Sequence, residues 1–183
     1  MKQLLCAVFL IALAAPGALA QETYPRMEIY GGTSYVRDGE LDLNGFHTAA
    51  AYNIKHWFGI KGDVSGVYGQ STVYSYPSVI SVDLSEYAAA AGPQFTIRQG
   101  RISAFAHALA GLGRMSGATP RIYGAQVTVT FSAFLLEAGG GVDLRLVDRI
   151  ALRLVQVDYL SFWPEDGGRN DAVRIGGGIV IRF

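Results

Sequence analysis

The sequence predicts an all-β chain, an eight-stranded antiparallel up-and-down transmembrane β-barrel, and three observations carry that expectation. From residue 26 onward the hydrophobic period is two rather than 3.6. The periodic segments run to about 10 to 14 residues, longer than the roughly 5 to 6 of an ordinary soluble strand and suited to a tilted membrane-crossing strand of about 9 to 11. The connections alternate between tight turns and long polar stretches, as they do in outer-membrane barrels.

Length and composition agree with one such domain. The chain has 183 residues, half of them hydrophobic and 16% charged, with 23 glycines, 10 tyrosines and 9 phenylalanines. Lys and Arg together number 15, as do Asp and Glu. That balance offers no footprint for nucleic acid, and so much apolar content is foreign to a disordered chain.

Residues 1–20, MKQLLCAVFLIALAAPGALA, read as a signal peptide. Lys2 forms the positive region, Leu4 to Ala15 a short apolar run, and Ala18-Leu19-Ala20 an A-x-A cleavage site. The run is too short to cross a bilayer as a helix, which takes about 20 residues. The barrel domain is therefore expected over residues 21–183. The single cysteine, Cys6, falls before the cleavage site, so no disulfide is expected in the mature domain.

The strands are expected at 26–36, 45–55, 58–68, 85–98, 101–113, 131–145, 149–160 and 173–183. Lys55-His56-Trp57, Gln99-Gly100 and Val147-Asp148 supply the tight turns, which such barrels place in the periplasm. The polar stretches 37–44, 69–84, 114–130 and 161–172 are expected as four long loops on the opposite, extracellular side. Within the second, 71–76 and 79–82 have the composition of a hairpin extending above the membrane.

The alternation assigns faces. Phe58, Ile60, Val64 and Tyr68 share one face of strand three, with Lys61, Asp63 and Ser65 on the other. Leu136, Val142, Leu144 and Leu146 alternate with Glu137, Asp143 and Arg145 in strand six, and Val173, Ile175, Ile179, Ile181 and Phe183 with Arg174 and Arg182 in strand eight. Apolar faces this long favour apolar outward and polar inward; a soluble ligand-carrying barrel of the lipocalin kind has the reverse. The inward set then holds Glu28, Asp63, Glu86, Glu137 and Asp143 against Lys61, Arg98, Arg145, Arg153, Arg174 and Arg182, nearly cancelling, as buried charge requires. In strand seven Arg153 shares parity with Val155 and Val157, so a bulge near Leu154–Val155 is expected to reset the pleat.

The glycine runs 139–141 and 176–178 lie inside strands with no helix following, so they relieve crowding and permit curvature and are not phosphate loops. Aromatics fall in two bands expected at the lipid–water interfaces: Tyr24, Tyr52, Trp57 and Phe58 near the tight turns, and Tyr35, Tyr68, Tyr159, Phe162 and Trp163 near the long loops.

The last residues, VRIGGGIVIRF, end on Phe183, with Ile181 and Ile179 at alternate positions before it and Gly178 five back. This resembles the C-terminal assembly signal of bacterial outer-membrane proteins. With MEIYGGTSYVR opening strand one and the units AYNIKHWFGIKGDVSG, FAHALAGLGR and IALRLVQVDYL, the mature chain resembles a small OmpA-like outer-membrane β-barrel, of the outer membrane protein beta-barrel domain family. The resemblance implies an integral outer-membrane location with both termini periplasmic. It also implies outer-membrane lipids as surroundings and the barrel-assembly machinery as a partner in biogenesis. A peptidoglycan-binding domain after the barrel, and with it tethering to the wall, is not expected.

Candidate chemistry is sparse. His56 lies in a turn, while His47 and His107 point inward as lumen residues. A lipid A-modifying barrel enzyme is the alternative to a non-enzymatic barrel. It would pair Ser and His near the rim, but no H-x-S occurs and Ser103 and His107 are four residues apart, about 13 Å along a strand. Three histidines on separate segments do not propose a metal site, and Glu165-Asp166 with Asn170-Asp171 read as a solvated tip. No cofactor and no nucleic acid is expected. Eight strands enclose a space that side chains fill, so a structural or surface-contact role for a monomeric barrel, not a wide porin, is the expectation, its outside ligand open.

Overall fold

The computed structural model describes residues 24–183 except 40, 76–77, 120–126 and 166, with the backbone alone at 72–75 and 78–80. The expected signal peptide, residues 1–20, lies outside the described residues. Eight strands follow in chain order: β1 (Met27–Asp38), β2 (Leu41–Asn53), β3 (Phe58–Ser75), β4 (Ser78–Gln99), β5 (Ile102–Ala118), β6 (Thr128–Val147), β7 (Ile150–Pro164) and β8 (Asn170–Arg182). Each pairs antiparallel with its neighbours in sequence, and β1 meets β8 from Glu28↔Arg182 to Arg37↔Val173, closing the barrel. Closure leaves no open edge within the barrel wall, as a β-structure in hydrocarbon requires.

Side-chain direction follows the alternation. Ile60, Val64, Leu112, Leu136, Val157, Ile175 and Ile179 face outward and are 43–68% exposed. Arg174, Lys61 and Glu137 face inward and are almost completely covered. A soluble barrel would turn these isoleucines, leucines and valines in; an apolar outer face around a charged interior is the membrane arrangement.

One end of the barrel is trimmed tightly. Residues 54–57, Gly100–Arg101 and Asp148–Arg149 make the turns, and Gly100 has the left-handed φ of 59° that lets two residues reverse the chain. The opposite end departs from the expected four long loops. Residues 37–44 lie almost wholly in β1 and β2, paired as far as Asp38↔Leu41. Most of 69–84 is the β3–β4 hairpin, whose backbone pairs to Ser75↔Ser78. Strands β5 and β6 take up much of 114–130, and only 165–169 separate β7 from β8. Polar residues read as loops because they leave the lipid, yet their backbones continue the ladder in water.

The bulge in β7 is where the parity break placed it. Val142 pairs Val155 and Asp143 pairs Arg153, skipping Leu154. Leu154 and Val155 are both exposed, at 54% and 40%. Two consecutive outward residues shift the phase, so Gln156, Asp158, Leu160 and Phe162 all turn inward. Phe162, expected at an interface, is instead 1% exposed inside.

Its ring needs a glycine opposite. A Cβ on Gly113 would lie 2.5 Å from Phe162 Cε1, and its three nearest neighbours all belong to that ring. We expect Gly113→Val to cost about 1–3 kcal/mol by overpacking and Phe162→Leu in the same chain to return most of it, read from urea unfolding of the micelle-bound barrel. If the second change returns nothing, the ring is not what the glycine accommodates.

Candidate functional site: a charged interior beneath an apolar layer

The interior has two storeys. Toward the end opposite the tight turns, Val36, Leu43, Val67, Leu109, Leu135, Leu160 and Phe162 form an apolar cluster of inward side chains. The alternation, read as polar inward, does not mark this layer. Below this layer lies a chain of ionic groups that runs to the tight-turn end.

Arg174, on β8, is its hub. Nε and Nη2 donate to Asp158 Oδ2 at 2.9 and 2.7 Å, Nη2 also to Glu137 Oε1 at 2.6 Å, and Nη1 to Ser65 Oγ at 3.0 Å. Asp63 Oδ1 stands 3.5 Å from Nη2. Four strands thus converge on one guanidinium, whose planar fork suits several carboxylates at once. Asp63 in turn meets His47 Nε2 at 2.5 Å and Lys61 Nζ at 2.9 Å. His107 Nε2 lies 3.1 Å from Glu137 Oε1 and 3.2 Å from Asp158 Oδ1.

From Asp158 the chain continues downward. Gln156 Nε2 donates to Asp158 Oδ2 at 2.7 Å, and Gln156 Oε1 accepts from Arg153 Nη1 at 2.7 Å. Arg153 grips Asp143 with Nε and Nη2 at 2.8 and 3.2 Å. Its guanidinium is also sandwiched 4.3 Å from the Tyr30 ring and 4.2 Å from the Phe105 ring, a cation–π placement favoured where water is excluded. Arg182 then links Asp143, at 3.4 Å, to Glu28, at 3.1 Å. The space left among Glu28, Tyr30, Lys61, Gln94 and Arg153 is about 10 Å³, the room of a single water.

The expected inward residues thus divide into three groups. Glu28, Lys61, Asp63, Glu137, Asp143, Arg153, Arg174 and Arg182 are buried and joined. Arg98 and Arg145 sit half-buried at the tight-turn mouth, Arg98 against Glu28 and the His56 carbonyl, Arg145 donating to the Gly100 carbonyl at 3.1 Å. Glu86 points inward and is 6% exposed, yet among the described residues no side-chain hydrogen bond or ion pair holds it; it stands level with the apolar layer, opposite Val67 and Met115. Asp158 and Gln156 were missed, because the bulge that brings them inside was placed without carrying its phase shift forward.

The aromatics of the two expected bands differ in exposure. Tyr52, Trp57 and Tyr159 are exposed, Phe58 and Trp163 half-buried. Trp57, Phe58 and Phe95 cluster with ring centres 5.4 to 5.9 Å apart. At the assembly-signal end, Ile179, Ile181 and Phe183 face outward, and Gly178 packs against the backbone of Gly31.

The arrangement offers little chemistry. Ser103 Oγ accepts from Arg182 while His107 turns to Glu137 and Asp158, so the two are not a nucleophile–base pair. The structure does bring His107, Glu137 and Asp158 together, with ligand-type atoms within 4.8 Å, which the separate segments of the histidines did not suggest. Arg174 already stands between those two carboxylates as their cation.

A model of the outer membrane protein beta-barrel domain matches residues 5–179. The chain belongs to that family. Sequence comparison with curated proteins finds no match. Solved structures supply the fold likeness. Ail, the attachment invasion locus protein of Yersinia pestis, crystallised with the heparin analogue sucrose octasulfate, matches at 17% identity and TM-score 0.57, over 85% of this chain and 96% of that one. Neisserial surface protein A matches at 15% identity and TM-score 0.58, over 88% of this chain and all of the other. Family and fold make this chain an integral outer-membrane β-barrel.

Proposed function

We propose that this barrel serves as a surface-contact protein: a non-conducting, non-enzymatic scaffold that presents the outer ends of β3 to β6 to an extracellular protein, with the tight turns and both termini in the periplasm. The observation that carries the reading is the uneven outer rim. Pairing of β2 with β3 ends at Asn44↔Tyr68, leaving β3 unpartnered on that side over 69–75. Among the described residues, pairing of β6 with β7 ends at Ala133↔Pro164, leaving β6 unpartnered on the β7 side over 128–132. Proline ends a ladder because it has no N–H to give. The freed stretch of β6, TVTFS, is uncharged, with Val129 and Phe131 exposed at 60% and 42%. An open, uncharged strand edge is a template for an extended peptide, which adds to it through main-chain hydrogen bonds.

Charge argues against a sulfated glycan of the kind bound by Ail. Residues 62–97 contain neither Lys nor Arg, so the β3–β4 hairpin offers no cation to sulfate. The buried ionic chain and the apolar layer above it support a scaffold and not a conduit. In planar bilayers the expected result is no steady conductance of porin size; a stable open channel contradicts the closed-lumen part of the reading.

The contact role is tested by replacing 69–84 with a short Gly/Ser turn on cells of a non-adherent host. The altered barrel should still insert and still shift on an unboiled gel. Retention of cells on surfaces coated with serum and matrix proteins should fall to that of the empty host. Equal retention with and without the hairpin, or no gain from the wild-type chain, overturns it.

A further inference from the structure

The tight-turn end carries a collar of exposed cations. Arg26 lies at the start of β1, Lys55 in the β2–β3 turn, Arg101 in the β4–β5 turn and Arg149 in the β6–β7 turn, all exposed. Each connection around the ring thus contributes one. Among the described residues at this end, Asp148 is the sole exposed acid. Behind the collar, Arg98 and Arg145 brace the turns through the carbonyls of His56 and Gly100. Among the described residues at the opposite end, Asp42, Asp83, Glu165 and Asp171 are exposed against Arg37, Arg114 and Arg169.

The collar stands where the strands leave the hydrocarbon. Trp57, Phe58 and Phe95 form an aromatic cluster beside it, and Lys55 Nζ lies 5.7 Å over the Trp57 ring. Aromatic rings settle at headgroup depth, so cations spaced one turn apart at this level meet the lipid phosphates. We infer that this end is a binding collar for anionic phosphoglyceride headgroups of the leaflet that surrounds it. The inference uses the membrane-crossing fold; only the assignment to the periplasmic leaflet rests on the orientation proposed above. Anionic headgroups attract each nearby Lys or Arg, and neutral zwitterionic headgroups do so far less.

The chain has two tryptophans, Trp57 by the collar and Trp163 at the far end, which makes the preference measurable one end at a time. Full-length Trp163→Phe barrel is folded into phosphatidylcholine vesicles containing equal mole fractions of either brominated phosphatidylglycerol or brominated phosphatidylcholine, and quenching of Trp57 is compared. The expected ratio favours the anionic lipid by about two- to five-fold at low salt. It should fall toward one as NaCl is raised, and in the variant carrying Arg26→Gln, Lys55→Gln, Arg101→Gln and Arg149→Gln. The Trp57→Phe barrel, reporting from Trp163, should show a ratio near one. A ratio of one at Trp57, an equal preference at Trp163, or a preference indifferent to salt overturns the inference. Because the vesicles are symmetric and no surface partner is present, failure of the contact role and failure of the collar are read separately.

Discussion

Arg174→Met should cost the barrel about 3–5 kcal/mol, the penalty of breaking a buried ion pair from one side. The cause is what the guanidinium leaves behind. Glu137, Asp158 and Asp63 all approach it within 3.5 Å, each almost completely buried. Without it Lys61 still faces Asp63, but Glu137 and Asp158 share His107 as their one remaining cationic partner, with the neutral Gln156 amide on Asp158. Adding Glu137→Gln and Asp158→Asn to the methionine variant should restore most of the stability, because the uncompensated charge is then gone. Arg169→Met removes an exposed pair with Asp171 and should leave the urea midpoint indistinguishable from that of the parent. If Arg174→Met and Arg169→Met behave alike in vesicle-bound unfolding, the interior network is not what holds the strands in register.

A single charge on the outer face should have an effect of similar size for a different reason. Val64 sits mid-strand in β3, between Thr48 and Ala89, and is 47% exposed. Val64→Arg should cost about 2–4 kcal/mol, the depth-dependent penalty of placing a guanidinium among acyl chains. The neighbouring Ser65 points inward, so Ser65→Ala loses one hydrogen bond from Arg174 and should cost about 1 kcal/mol. The contrast reads the pleat directly, since adjacent residues on one strand differ only in which solvent they meet. The same Val64→Arg change in detergent micelles, where headgroups and water lie closer, should cost less.

The architecture was legible because membrane strands are simple to read. Lipid outside and charge inside impose a strict period of two, so Val173, Ile175 and Ile179 alternating with Arg174 already fix which way β8 faces. The broken parity of β7 likewise marked the bulge, whose two outward residues are Leu154 and Val155. Its consequence was harder to see. Once the pleat shifts, Asp158 joins the Arg174 cluster and Phe162 enters the lumen, and that depends on counting through the bulge, not on composition. The apolar layer was hidden for another reason. Leu135 and Ala133 share the parity of Glu137, but an inward leucine in a barrel taken to be polar inside has no distinguishing neighbour in sequence. Loop lengths misled because polarity reports contact with water, while pairing such as Asp38↔Leu41 is decided by the backbone.

The membrane arrangement requires the outward branched residues to touch acyl chains while equally apolar inward ones do not. Methyl resonances of the barrel in lipid nanodiscs, with and without a lipid spin-labelled near the end of its acyl chain, measure that contact without altering the protein. Val64, Leu136, Val157, Ile175 and Ile179 should broaden strongly, and Val67, Leu135, Leu160 and Val180, all within 2% exposure, should keep their intensity. Broadening of the second set with the first spared would mean an apolar interior and a solvated exterior, and would contradict the membrane reading at its root.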